Sequence, residues 1–76
     1  MRMSTQPRAL TPRELQTLQL IVSGKSDPEI AKVLQVTVHT INAYRKSLLH
    51  KLGANNVASL VRIAIQQDIV RLTTES

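Results

Sequence analysis

The chain has no cysteine, only two glycines and, between Glu29 and Asp68, no acidic residue. Without cysteine there is neither a disulfide framework nor a thiolate zinc site to stabilise a fold. The two histidines, His39 and His50, lie eleven residues apart in a segment otherwise poor in ligands, so neither a metal nor another cofactor is expected. Gly24 and Gly53 both stand where helices stop, which leaves no glycine loop to cradle a phosphate. No serine–histidine–acid set has a plausible geometry either, so the chain does not read as an enzyme. No apolar run is long enough to span a membrane, and the opening MRMSTQPR lacks the apolar core of a signal peptide. The expected compartment is the cytoplasm, with no membrane partner.

What is present fits one small domain. At 76 residues the chain is too short for two independent cores. A chain of this size buries only about 60% of the surface its unfolded form exposes, so its stability margin is thin. Ten lysines and arginines against five acids give a net charge of +5. Lys32, Arg45, Lys46, Lys51 and Arg62 all fall in the acid-free stretch. A surface built from that stretch attracts polyanions, or serves only as a solvated basic face.

Helix punctuation marks four helices. Residues 1–9 read as a flexible arm, 10–70 as the folded domain and 71–76 as a flexible tail. Thr11-Pro12-Arg13-Glu14 is a capping box with proline at the first helical position. Leu15, Leu18, Ile21 and Val22 supply that helix's apolar side, and Gly24 offers a left-handed stop. Ser26-Asp27-Pro28-Glu29 repeats the start signal, and Ile30, Ala31 and Leu34 face inward from a short second helix ending near Gln35. Val36 anchors a turn of about three residues. Thr37 then caps a third helix running to Leu52 and stopped by Gly53, and Asn56 caps a fourth, Val57 to about Gln67, with Val57, Leu60, Val61 and Ala64 at core positions. Strand-like alternation is absent, so the fold class is all-α. Two helices across a tight turn, the second cationic, form the layout of a helix-turn-helix.

The third helix has two unlike faces. Ile41, Leu48 and Leu52 recur at helical spacing with Tyr44 at their edge, and need a core. His39, Asn42, Ala43, Lys46 and His50 gather opposite, a small, amide-bearing and cationic surface suited to the major groove of DNA. The fourth helix carries a second apolar stripe, Ala58, Val61, Ile65 and Ile69. It is either extended core covered by the N-terminal arm or a self-complementary dimer interface.

These residues together resemble the LuxR-type (GerE/NarL-like) helix-turn-helix domain of bacterial transcription regulators. The resemblance runs from Leu10 to about Val70. It rests on Leu10-Thr11-Pro12-Arg13-Glu14, Gly24-Lys25-Ser26, Glu29-Ile30-Ala31 with Leu34, Thr37-Val38-His39-Thr40-Ile41, Tyr44-Arg45, Lys51-Leu52-Gly53, Asn56 and Leu60-Val61, in order and at the family's spacing. It implies a four-helix domain whose third helix, residues 38–52, enters the major groove and whose fourth often mediates dimerisation. It further implies that Asn42, Ala43 and Lys46 face bases, and that Thr40, Arg45 and Lys51 sit near phosphates. Asn42 has the paired donor and acceptor that read adenine, Lys46 can donate to guanine O6 or N7, and Ala43 is small enough to touch a thymine methyl. His39 and His50 flank this surface as peripheral contacts. Arg45, close to the buried face, can instead pair inside the domain with Glu14 or Glu29.

The departures from the family are specific. Gln35 stands where the family usually has glycine, so the turn must avoid a left-handed residue there or accept strain. Val57 and Ser59 replace a common arginine and glutamate, which puts the usual dimer geometry in question. Val33 is apolar on an outward position of the second helix, with no evident use in DNA binding.

The expected function is a sequence-specific regulator that binds double-stranded DNA as a homodimer on an inverted repeat. RNA polymerase or a larger regulator is a further candidate partner. The alternative is an anti-activator that heterodimerises with a larger regulator through the fourth helix. Beginning at Met1, the chain reads either as a stand-alone regulator or as an isolated effector domain.

Overall fold

A computed structural model describes residues 10–70 and contains four helices: α1 (Pro12–Val22), α2 (Asp27–Leu34), α3 (Val38–Leu52) and α4 (Val57–Gln66). The described residues include no strand. The arm and tail proposed from sequence, residues 1–9 and 71–76, lie outside the described residues.

Each helix begins as its sequence dictates. Thr11, Ser26, Thr37 and Asn56 are extended N-caps, and each side chain accepts from the backbone N–H three residues on. In α1 and α2 the acid at that third position, Glu14 or Glu29, accepts in return from the N–H of the cap, completing two capping boxes. In the second box the Glu29 carboxyl is held below its ordinary range, first by the Ser26 N–H and then by the Ser26 hydroxyl.

All four helices end in the same way. The N–H of Lys25, Val36, Ala54 and Ile69 reaches back five residues, to the carbonyls of Leu20, Ala31, Leu49 and Ala64 at 2.9–3.1 Å. That closure needs a left-handed residue just before it. Gly24 and Gly53 provide it at φ +90° and +68°, whereas Gln35 and Asp68 adopt φ 61° and 59° with a Cβ in place. The turn of the helix-turn-helix therefore accepts the strain, and Val36 is held half-buried beyond it. Arg13 of α1 adds a side-chain cap, its Nη1 donating to the Leu34 carbonyl at 3.3 Å.

The interior forms two clusters that share α3. Ile41 packs with Ile30, Ala31 and Leu34 of α2, beside Leu20, Ile21, Val36 and Tyr44. Two turns along the same face, Leu48 packs with Leu18, Leu60, Ala64 and Val70. α3 is thus held against α2 at one end and against α1 and α4 at the other.

Three expected core positions are not in the core: Leu15, Val57 and Val61, the last half-buried but packed on neither cluster. Leu15 is 37% exposed because the inward line of α1 is Glu14, Thr17, Leu18 and Ile21, with two polar residues on it. Val57 is 39% exposed. As the first residue of α4, it has a Cβ that leans toward the N-terminus, past the helix end rather than over a preceding turn. Val70, outside the expected core, is buried instead.

The polar residues inside are satisfied. Thr17 donates to the Arg13 carbonyl at 2.8 Å. The Glu14 carboxylate, only 6% exposed, accepts from the Thr11 N–H at 3.0 Å, from the Ser47 hydroxyl at 2.6 Å and from the Lys51 ammonium at 2.7 Å. Burial pushes its pKa up, but the hydrogen bonds from Lys51, Ser47 and Thr11 outweigh that and hold it below the ordinary glutamate range.

A folded value below the unfolded one means that this carboxylate's contribution is fully present above the unfolded pKa of about 4.3 and is lost as the pH falls through the folded value. The resistance of wild type to urea should weaken as the pH falls through that acid window. Glu14→Gln should flatten the dependence and lower stability at neutral pH by about 1–3 kcal/mol, the cost of losing charged hydrogen bonds in a buried site. At the turn, Gln35→Gly should raise stability by roughly 0.5–1 kcal/mol, since relief of a left-handed L-residue exceeds glycine's added unfolded-state entropy. A lower urea midpoint for Gln35→Gly would contradict strain at that position.

Candidate nucleic-acid interface

α3 spans 15 residues, about 22 Å at helical rise. Its sequence contains no acid, and its first turn is capped by Thr37, whose hydroxyl also lies 3.0 Å from that of Thr40. With Ile41 and Leu48 fully buried, the opposite side is turned outward by helical geometry. His39, Ala43, Lys46 and His50, spaced four, three and four apart, are all exposed and form one stripe along it. None of them makes an ion pair with a described residue. Lys46 is therefore an open cation at the middle of an acid-free face.

Asn42 borders this stripe and is half-buried. Its Oδ1 accepts from Nη2 of Arg45, while Nη1 of the same guanidinium donates to the Asp27 carboxylate at the start of α2. A guanidinium has no acceptor, so the Asn42 atom facing it must be the carbonyl oxygen. The Asn42 amide nitrogen is left without a protein acceptor among the described residues.

The three residues assigned to phosphates by resemblance stand in different situations. Thr40 is half-buried beside the Thr37 cap. Arg45 holds Asp27 and Asn42, and Lys51 holds Glu14. Pairing of Arg45 inside the domain is thus realised, but with Asp27 rather than Glu14 or Glu29. Glu14 is occupied by Lys51 and Ser47, and Glu29 is turned back onto Ser26. Asp27 is the residue that sequence reasoning misses: as the first residue of α2 it reads simply as an acid favourable at a helix start.

The stripe on α4 divides. Ala58 is exposed and Val61 half-buried, whereas Ile65 and Ile69 pack against the core around Leu48 and Leu60. Val33 of α2 is 58% exposed and Val38 at the start of α3 is 41% exposed. No helix among the described residues is long and apolar enough to cross a membrane.

Comparison with known proteins supplies the context. The family described as bacterial regulatory proteins, luxR family, matches residues 8–64. The transcriptional regulatory protein MctR of Rhizobium johnstonii is 48% identical over 61 residues, covering 80% of this chain and 28% of MctR. FixJ of Bradyrhizobium diazoefficiens, also a transcriptional regulatory protein, is 34% identical over 58 residues, covering 76% of this chain and 28% of FixJ. Among solved structures, a Vibrio cholerae VqmA dimer free of target DNA superposes with a TM-score of 0.79 at 31% identity, over 80% of this chain and 28% of that one. A VqmA–ligand–DNA complex gives a TM-score of 0.80 at 30% identity, over 88% and 29%. The chain therefore spans less than a third of the length of these relatives. With four helices, a helix-turn-helix at α2–α3 and this family match over most of its length, the chain belongs to the luxR family of bacterial regulatory proteins and carries that family's DNA-binding domain.

Proposed function

We propose that the domain reads double-stranded DNA in a sequence-specific way, with α3 lying in the major groove. The observation that carries this reading is the exposed stripe His39, Ala43, Lys46 and His50 beside Asn42, on a helix with no acid whose opposite face buries Ile41 and Leu48. In this reading Asn42, Ala43 and Lys46 meet base edges, and His39 and His50 make peripheral contacts. Thr40, Arg45 and Lys51 lie toward the phosphates. Arg45 and Lys51 each hold a carboxylate of another helix, so they reach DNA while keeping that partner or by exchanging it for phosphate. That VqmA is found in a complex with DNA, and that MctR is a transcriptional regulatory protein, supports the same assignment by kinship.

Ala58 and Val61, together with the parts of Ile65 and Ile69 that their own core leaves exposed, form the surface through which two copies of this domain associate on an inverted repeat. The half-sites then lie about one helical turn, ~10 bp, apart. The net charge of +5 supports a large electrostatic share in binding.

Asn42→Ala should cost about 1–3 kcal/mol on the tightest duplex selected from a random pool, and relax preference at a single base pair. Lys46→Ala should reduce the salt slope of binding by about one if the ammonium meets phosphate, and relax a guanine preference if it meets a base. Unchanged affinity and preference in both variants would remove α3 from the groove. For association, Ala58→Glu should leave the monomer folded. It should raise the protein concentration needed on a two-half-site duplex, with single half-site binding retained, as read by sedimentation of the complexes.

A further inference from the structure

The ion pair between Asp27 and Arg45 has a consequence at the recognition face, and it rests on the reading of α3 just given. We propose that Asp27 is a positioning residue for base recognition: through Arg45 it fixes the amide of Asn42, and so raises discrimination at the expense of affinity for DNA in general.

An asparagine amide rotates broadly about its last torsion, so an unheld Asn42 would meet a base in many orientations. Here the guanidinium fork spans two acceptors at once, the Asp27 carboxylate on α2 and the Asn42 carbonyl on α3. The fork is planar and rigid, so anchoring one arm on Asp27 fixes where the other points. Asp27 is itself anchored: it is the first residue of α2, just beyond the Ser26 cap, and its side chain is only 23% exposed. Arg45 is 29% exposed. Held in this way, Asn42 turns its oxygen toward Arg45 and presents its amide nitrogen, and less ordering is required when a base arrives.

The same contact restrains Arg45. A guanidinium at the edge of a recognition helix, free of an acid, would bind phosphate at any sequence and add affinity without information. Asp27 neutralises that charge and ties it to the base-reading amide. Of the other acids on α1 and α2, Glu14 is committed to Lys51 and Ser47, and Glu29 to the Ser26 cap. Among the observed pairs, Asp27 alone joins the two helices of the helix-turn-helix by charge.

The test compares the full chain with Asp27→Asn, Arg45→Lys, Asn42→Ala and the Asp27→Asn/Asn42→Ala double variant. Fluorescence anisotropy measures binding to the tightest duplex selected from a random pool, to its single-base-pair variants and to a random duplex over a salt series. Circular dichroism melts establish that each variant is folded. Asp27→Asn should lose about tenfold discrimination at the base pair that Asn42→Ala also relaxes. It should also bind the random duplex more tightly, with a salt slope steeper by about one. The double variant should lose no more discrimination than Asn42→Ala. Arg45→Lys should lose discrimination at the same base pair, because a lysine point charge holds one partner and cannot span both. It decides the matter if Asp27→Asn does not fold. If Asn42→Ala relaxes its base pair while Asp27→Asn and Arg45→Lys keep it, the positioning role is overturned and the base-reading role of Asn42 stands. Should Asn42→Ala itself keep full discrimination, both fall together.

Discussion

The structure depends most on one buried carboxylate. Glu14 closes the capping box of α1 by accepting from Thr11, and with its remaining capacity accepts from Ser47 and Lys51 of α3. Removing a carboxylate from water is unfavourable unless nearly every lone pair is met by a donor. Those donors come from both helices, so the charge is tolerated only where α1 and α3 lie in one relative position. A hydrophobic contact would permit some sliding; this constellation does not. A domain with so small an interior gains a defined geometry from it.

From that constraint follows the disposition of α3. Its buried face serves two clusters, through Ile41 toward α2 and through Leu48 toward α1 and α4. Two ion pairs, Lys51 with Glu14 and Arg45 with Asp27, brace its flanks. With three sides engaged, the helix leaves one stripe, which carries small, imidazole and ammonium groups and no acid. The cations therefore divide by role. Lys46 remains open to a polyanion, whereas Arg45 and Lys51 hold the helix at the angle from which Lys46 is presented. A cation counted in the net charge is thus not always a cation without an acid beside it.

Helix closure shows how far local rules carry. All four helices end in the same backbone arrangement, although only two have glycine at the left-handed position. At Gln35 the sequence offers two outcomes, a different turn or a strained one. Burial of Val36 against the α2–α3 cluster, and the Arg13 side chain on the Leu34 carbonyl, favour the strained turn. Tertiary packing has overridden a local preference of about 1–2 kcal/mol. At Asp68 the same conformation is less costly, since aspartate enters the left-handed region more readily.

The amino-acid sequence alone determined the helix starts and stops, the all-α class, the inward residues of α2 and α3 and the family. Each of these rests on interactions within a few residues, or on spacing that repeats along one helix. It misassigned Leu15, Val57 and Val61, because apolar character was read without knowledge of which side of the helix would meet another. It also offered Glu14 or Glu29 as the partner of Arg45 where the structure has Asp27, and it did not connect Glu14 with Lys51 or Asp27 with Asn42. Those pairings join residues up to 37 apart in the chain, through side chains whose reach is set by how the helices cross. Local chemistry determined what each helix is and where it ends. Only the tertiary structure decided which charges hold the helices together and which stand open on the outer stripe of α3, because a buried or shared charge is a property of two surfaces and is written in neither segment alone.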